Sequence, residues 1–227
     1  RNTGKKIIRR ILKENNDNRE NVFIGSDSGI FNTTGDSNTF IGSSTGVANT
    51  KGVANTFIGT GSGQANTTGE LNTAVGCESL IANTTGEYNV TVGTNSMVNN
   101  ISGSYNTAVG TSSLHALTSG NHNICIGHFA GEDMVNGTNQ ILIGHGCKTK
   151  GEDDTMVIGG NVDSKIIKKW YPGTDGETDL GSSSIRFNNL YVKNIYVTSI
   201  TFGQEETNLE NKIEELENKI EELENRI

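Results

Sequence analysis

Hydrophobic residues recur along this chain every 17 residues, within a five-residue unit of the form Asn-x-hydrophobic-Ile/Val-Gly. The unit ends at Gly25 and at every seventeenth residue up to Gly144, and a last copy ends at Gly159 after a step of 15. A second glycine, first seen at Gly35, keeps the same period. A constant period near this length is typical of a solenoid, in which each repeat forms one coil. The sequence therefore predicts nine coils over residues 20–160.

The three residues before each glycine predict a short strand, because β-branched side chains dominate its first and third positions. The first column consists of Val22, Thr39, Thr56, Thr73, Val90, Thr107, Ile124, Ile141 and Met156, and the third column consists of Ile24, Ile41, Ile58, Val75, Val92, Val109, Ile126, Ile143 and Ile158. Strand side chains alternate, so these two columns share one face, which we expect to line the inside of the coil.

The middle column would then point outward. Its members are Phe23, Phe40, Phe57, Ala74, Thr91, Ala108, Cys125, Leu142 and Val157. An exposed apolar stripe of this kind usually marks a partner surface. We therefore expect side-by-side association of copies of the chain, with Phe23, Phe40, Phe57 and Leu142 at the oligomer interface.

Asparagine forms two further columns with the same period. One column runs through Asn21, Asn38, Asn55, Asn72, Asn89, Asn106 and Asn123, and the other through Asn32, Asn49, Asn66, Asn83 and Asn100. Asparagine favours turns, and stacked amides form hydrogen-bonded ladders. The acceptor pattern for N-linked glycans also occurs, at Asn32, Asn66, Asn83, Asn89, Asn100 and Asn136. Because turn chemistry already explains these asparagines, we give glycosylation little weight.

The N-terminal residues 1–19 are basic, and residues 5–14 place apolar side chains at 7, 8, 11 and 12, which predicts a short helix. A basic amphipathic helix can lie on an acidic membrane or an acidic partner. The alternatives, which we favour, are a cap that covers the open edge of the first coil and the tail of a preceding helix.

The period breaks after residue 160, and residues 161–203 predict a β-rich neck, whose clearest strand is an alternating run over 190–197. Residues 204–227 predict a coiled coil with its core at Leu209, Ile213, Leu216, Ile220, Leu223 and Ile227. Lysine at g and glutamate at e suit parallel helices, whereas Ile at a with Leu at d favours two strands. The heptads are regular enough for either a natural fibre or an engineered clamp.

Composition narrows the range of partners. The net charge of −8 argues against a general nucleic-acid binder, and no transmembrane run or signal peptide is present, so we expect no membrane insertion. The first residue is Arg, which favours a fragment or a processed chain. Cys77, Cys125 and Cys147 fit neither a disulfide framework nor a metal motif and are interpreted as idle thiols.

Little in the sequence points to chemistry, and we expect no catalytic residue, cofactor or metal. His128 and His145 follow the glycine in adjacent coils and could be multiplied by a threefold axis into a metal site, but a solvated column is the simpler interpretation. Asp36, Glu70 and Glu87 share one position of the repeat and are candidate carboxylates for a depolymerase. Acidic side chains at corners more often only keep a protein soluble.

The repeat resembles the β-roll heads of trimeric autotransporter adhesins (YadA-like heads). It resembles more closely the Asn-Thr-Thr-Gly-x-x-Asn-Thr-Ala-Ile-Gly repeats of phage and large-virus tail fibres, as residues 83–93 illustrate. Residues 172–192 are similar to the neck that precedes an endosialidase-type chaperone domain in those fibres. The resemblance implies a left-handed parallel β-solenoid and a parallel homotrimer, which overrides the weaker dimer preference of the coiled coil. A chaperone domain does not follow the neck here, so autoproteolytic processing is not carried over.

We therefore expect a non-enzymatic trimeric fibre or adhesin segment, displayed on a virion or extracellular cell surface, that attaches to a host glycan or receptor. The alternatives are a polysaccharide-degrading fibre enzyme and a purely structural shaft. Many identical weak sites on a repetitive rod would gain strength through multivalency.

Overall fold

A computed structural model describes residues 19–149 and 153–159, together with 214, 216, 218 and 219. Nine three-residue strands form one sheet in sequence order. They are β1 Val22–Ile24, β2 Thr39–Ile41, β3 Thr56–Ile58, β4 Thr73–Val75, β5 Val90–Val92, β6 Thr107–Val109, β7 Ile124–Ile126, β8 Ile141–Ile143 and β9 Met156–Ile158. Each strand pairs in parallel with the next, and equivalent residues of successive repeats lie opposite each other, as Phe40 and Phe57 do.

This register confirms the predicted parallel β-solenoid. Nine strands are joined by eight turns, so the nine predicted coils become eight complete ones and a closing strand. The shortened last step still brings β9 into register with β8, with Leu142 opposite Val157. A mainly β chain is what a 17-residue period with β-branched strand positions requires.

The predicted facing of the strands is wrong. The middle column lies in the interior of the coil, where Phe23 is 3% exposed and Phe40, Phe57 and Leu142 are 0% exposed. Side chains of the first and third columns lie on the outside instead, with Val90 40% and Val92 39% exposed. A three-residue strand can turn either its middle side chain or its two outer ones inward, and here the middle side chains, which include the three phenylalanines, fill the core.

The interior is filled by pairs of complementary size. In the first seven coils the residue six places after the middle-column residue also faces the core, and glycine occupies it wherever the middle residue is phenylalanine. A Cβ added at Gly46 would lie 2.5 Å from the Phe40 ring. Ala74, Thr91 and Ala108 are followed by fully buried large residues, whereas Cys125 is followed by Gly131. The pairs are Phe23 with Gly29, Phe40 with Gly46, Phe57 with Gly63, Ala74 with Leu80, Thr91 with Met97, and Ala108 with Leu114.

The three phenylalanines also contact one another. The rings of Phe23 and Phe40 are stacked with centroids 4.9 Å apart, and those of Phe40 and Phe57 are 5.0 Å apart. Stacking at the interval between coils adds an aromatic contribution to the burial of each ring. The first three coils are therefore held by an aromatic column, and the following coils by aliphatic side chains.

Both asparagine columns form buried ladders, as predicted. The Asn72 side chain, which is 0% exposed, donates from Nδ2 to the Gly86 carbonyl at 2.8 Å and to Asn55 Oδ1 at 3.1 Å. Its own Oδ1 accepts the backbone N–H of Asn89 at 3.0 Å. Each amide thereby satisfies backbone groups of the neighbouring coils, which is the requirement for burying polar atoms.

The glycine after each strand lets two backbones approach closely. Gly76 has φ +140°, and a Cβ there would lie 2.5 Å from the Gly93 carbonyl oxygen. Only glycine combines that φ with that proximity. The invariant glycine of the repeat is thus explained by the stacking of coils.

The chain divides into two compact units, Arg1–Tyr171 and Pro172–Ile227. The predicted N-terminal helix and the neck fall outside the described residues. In the second unit Glu214, Leu216, Asn218 and Lys219 are helical and exposed, with Leu216 56% exposed, while the other five predicted core positions of the coiled coil fall outside the described part. Over the described ranges, no helix has the length and apolarity that a membrane crossing requires.

Candidate assembly surface

The outward face of the sheet is a continuous strip of β-branched side chains. We call the first and third columns together, from Val22 to Ile158, the outer strip. Ile58 is 36%, Ile124 39% and Ile126 40% exposed, so half of each side chain or less remains in water. Nine strands at a spacing of about 4.8 Å and a length of three residues give the strip a flat footprint of roughly 40 by 10 Å, about 400 Å². Apolar patches of that size are among the largest on soluble monomers and are often interaction sites.

A column of exposed, mostly aromatic side chains borders the strip on its N-terminal side. We call it the leading column: Leu71, Tyr88, Tyr105 and His122, each two residues before its strand. The rings of Tyr88 and Tyr105 are stacked with centroids 4.8 Å apart, and those of Tyr105 and His122 are 5.1 Å apart. Tyr88 is 44% and Tyr105 52% exposed. An apolar surface therefore continues beyond the outer strip.

The other border of the strip is more polar. We call it the trailing column: Cys77, Thr94, Thr111, His128 and His145, each two residues after its strand. Every side chain of this column is exposed. The centroid of the His128 ring lies 3.9 Å from that of Phe129, with the two rings tilted, and 5.0 Å from that of His145, in an edge-on arrangement. Among the residues for which the structure gives positions, no group of three His, Cys, Asp or Glu side chains could hold a metal.

The predicted carboxylate column has a structural role at one end. Asp36 Oδ1 accepts the backbone N–H groups of Glu20 at 2.8 Å and Ser37 at 2.7 Å, and so secures the first coil. Glu70 and Glu87 lie at the same corner in later coils, half-buried, and Val53 separates them from Asp36. The structure does not bring the three carboxylates together in one cleft.

A small cavity lies beside the shortened last coil. Its volume is about 300 Å³ and its lining is Asp133, Met134, Val135, Asn136, Gly137, Thr149 and Asp153. Nearby, the Lys148 ammonium lies 3.1 Å from a Glu132 carboxylate oxygen and 3.9 Å from one of Asp133, and the hydrogen bond to Glu132 raises the pKa of Lys148.

Most of the candidate glycan acceptors are closed in the folded coil. Asn66, Asn83, Asn89 and Asn100 are 0% exposed, and the amide nitrogen of each donates to a glycine carbonyl. Only Asn136 of the six is fully exposed, and Asn32 is half-buried. The ladder interpretation of these asparagines is confirmed.

No protein-family model, curated protein or solved structure matches the chain. The resemblance to fibre and adhesin repeats therefore stays a prediction, and the surface itself must support any functional argument.

The four solenoid residues predicted for the oligomer interface do not belong to this surface. Phe23, Phe40, Phe57 and Leu142 have almost no exposed area and belong to the core of their own chain, so they are not available to a partner. The outer strip was missed although its columns were recognised. The usable signal lay six residues after the middle column, where glycine follows each phenylalanine.

Proposed function

We propose that this chain is a segment of a non-enzymatic fibre or adhesin, in which copies associate in parallel around a common axis through their outer strips. The observation that supports this is the strip itself, whose third column is Ile or Val in all nine strands and whose first column adds Val, Ile, Met and four threonines. A half-exposed apolar surface of this length gains free energy when a second copy removes it from water. A second copy is the natural partner, because its strip has the same spacing between coils.

A parallel arrangement is compatible with the register. Successive coils repeat at one interval, so two copies turned about an axis along the solenoid stay level at every strand. Lysine and glutamate at g and e of residues 204–227 also favour parallel helices. We propose three copies on the basis of the resemblance to trimeric fibre heads, with a dimer as the less favoured arrangement.

We propose further that the assembly is displayed on a virion or extracellular cell surface and holds attachment contacts for a host glycan or receptor. The repeated corners of the solenoid present similar side chains in successive coils, and an assembly multiplies them. Weak individual contacts then act together as multivalent binding. A segment that only spaces other binding parts is the alternative within this proposal.

The first experiment measures the mass of the full chain by sedimentation equilibrium. The coiled coil is first disabled by Ile213→Asp with Ile220→Asp, so that only the solenoid can hold the copies together. We expect this variant to remain a trimer, and we expect Ile58→Glu with Val92→Glu added to it to give monomers. Thr68→Glu, on an exposed corner far from the strip along the repeat, is the matched control and should leave the trimer intact.

Circular dichroism of each variant checks that the solenoid still folds, which we expect because Ile58, Thr68 and Val92 are exposed. A wild-type chain that sediments as a monomer contradicts the proposal, as does a coil-disabled variant that falls apart before the strip is changed. Attachment is tested separately, by applying the intact oligomer to a glycan array and to cells. Release of sugar from a polysaccharide in that assay would favour the enzyme instead.

A further inference from the structure

The outer strip is small for the assembly that it is proposed to hold. If three copies share it, each pair of neighbours receives about half of a 400 Å² footprint, whereas stable complexes bury roughly 800 Å² per partner. The surface of contact must therefore extend past the strip onto its borders. This inference rests on the proposed parallel assembly and concerns the side chains that complete it.

Symmetry decides which borders meet. When identical copies surround an axis in parallel, with the strip of each copy facing the axis, the leading column of one copy faces the trailing column of the next. This is a head-to-tail contact that closes into a ring. The pairs are also level, because Leu71 and Cys77 bracket strand β4, Tyr88 and Thr94 bracket β5, and Tyr105 and Thr111 bracket β6.

The aromatic side chains of the leading column are not needed by the turn in which they stand. Tyr88 and Tyr105 have φ values of +55° and +60°, a left-handed conformation that is unfavourable for bulky side chains. Coils two and three place Ser37 and Ala54 at the same corner with the same backbone, at +55° and +56°. Since small residues suffice for the turn, the stacked rings point to a contact outside the chain.

The trailing column is suited to receive them. At the level of the two tyrosines it carries Thr94 and Thr111, whose small exposed side chains leave room for a ring. A fully covered aromatic side chain buries about 150–250 Å², so Tyr88 and Tyr105, which are 44% and 52% exposed, would each add about 100 Å² to the contact. We propose that Leu71, Tyr88, Tyr105 and His122 of one copy pack against Cys77, Thr94, Thr111 and His128 of the neighbouring copy.

A native thiol makes this pairing testable. Cys77 is exposed and unpaired by disulfide. With Leu71→Cys, mild oxidation should join each introduced thiol to Cys77 of the next copy and close a covalent trimer on a non-reducing denaturing gel, and a reductant should dissolve it. The same two thiols of one chain cannot pair, because the strand between them alone spans about 10 Å and a disulfide needs Cα atoms within roughly 7 Å.

The control variants change either the position of the cysteine within the repeat or the coil in which it lies. Wild type, Leu71→Cys with Cys77→Ser, and Thr68→Cys should give no covalent trimer. In a Cys77→Ser background, Tyr105→Cys with Thr111→Cys provides a second pair of thiols on either side of the same strand, and this pair should cross-link neighbouring copies. Leu71→Cys with Thr111→Cys places the two thiols two coils apart and should not cross-link. A short bis-maleimide repeats each reaction with a longer reach.

The outcomes separate this inference from the assembly proposal. Sedimentation as a trimer without cross-links from either reagent overturns the pairing of the columns and leaves the trimer standing. Equal cross-linking of level and off-level pairs also overturns it. A monomer overturns both proposals, and closure at two chains supports the column contact while replacing the trimer by a dimer.

Discussion

The complementary pairs in the core predict that two damaging substitutions should partly rescue each other. Phe40 is fully buried between two stacked rings, so Phe40→Ala removes a large side chain from a packed interior. Substitutions of this kind destabilise proteins by about 3–5 kcal/mol. Gly46→Leu alone should also be damaging, because the added Cβ lies 2.5 Å from the Phe40 ring at φ +55°. Overpacking and the left-handed backbone together suggest roughly 2–5 kcal/mol.

The double variant Phe40→Ala with Gly46→Leu recreates the combination that the chain itself uses at Ala74 with Leu80. Leu80 is fully buried at φ +56°, so this backbone accepts leucine when the opposite residue is small. We therefore expect the double variant to lose only about 2–3 kcal/mol, well below the sum of the single losses, with a favourable coupling of at least about 2 kcal/mol.

Urea unfolding followed by circular dichroism measures the four members of this cycle. All are compared at one protein concentration, since assembly shifts apparent stability by mass action. Gly61→Leu serves as a control, because a Cβ there meets nothing closer than 3.6 Å and no phenylalanine opposes it. Additive losses in the double variant would refute the idea that each coil conserves its core volume through this pair.

Three further predictions concern the ladders, the glycines and the thiols. Asn72→Ala should destabilise the chain by about 2–4 kcal/mol in urea unfolding, because it leaves the buried N–H of Asn89 without its acceptor, and an unchanged midpoint would contradict this. Gly76→Ala should lower the free energy of unfolding by several kcal/mol, and Gly61→Ala by about 1 kcal/mol, because only the Cβ added at Gly76 lies 2.5 Å from a backbone atom. Equal losses would exclude this close approach as the cause. Burial, reinforced by a neighbouring thiol, raises the pKa of Cys125 from 9.0 to about 12. The folded state thus holds that proton more tightly than the unfolded state, so stability should fall as pH rises from about 9 to 12, and Cys125→Ala should reduce that fall in alkaline unfolding curves.

The solenoid architecture could be predicted from the sequence because it follows from the constant spacing of particular residues. Glycine and asparagine recur at one phase, and each has a backbone reason to do so, close approach at Gly76 and a buried ladder at Asn72. These requirements do not depend on which side of a strand faces inward. The period, the parallel order and both asparagine ladders followed from them.

The facing of the strands did not follow, because both faces are apolar. Phe40 and its neighbours Thr39 and Ile41 all suit a strand, and alternation alone assigns no inside. The decisive clue lay six residues away, where glycine faces each phenylalanine and leucine or methionine faces alanine or threonine. Stacked rings at Tyr88 and Tyr105 were also missed, since they become neighbours only once coils are superposed.

The one-to-one register between coils makes this rod adjustable in whole steps. Removal or duplication of any 17 consecutive residues brings equivalent positions together again and changes the length by about 4.8 Å. The core pairs add a restriction on where such a joint can lie. A joint between Phe57 and Gly63 would leave the Phe57 ring facing a residue from another coil, while a joint outside that seven-residue segment keeps each pair intact. Recombination within the array can therefore add or remove any number of repeats, but the joint is restricted to certain positions of the repeat.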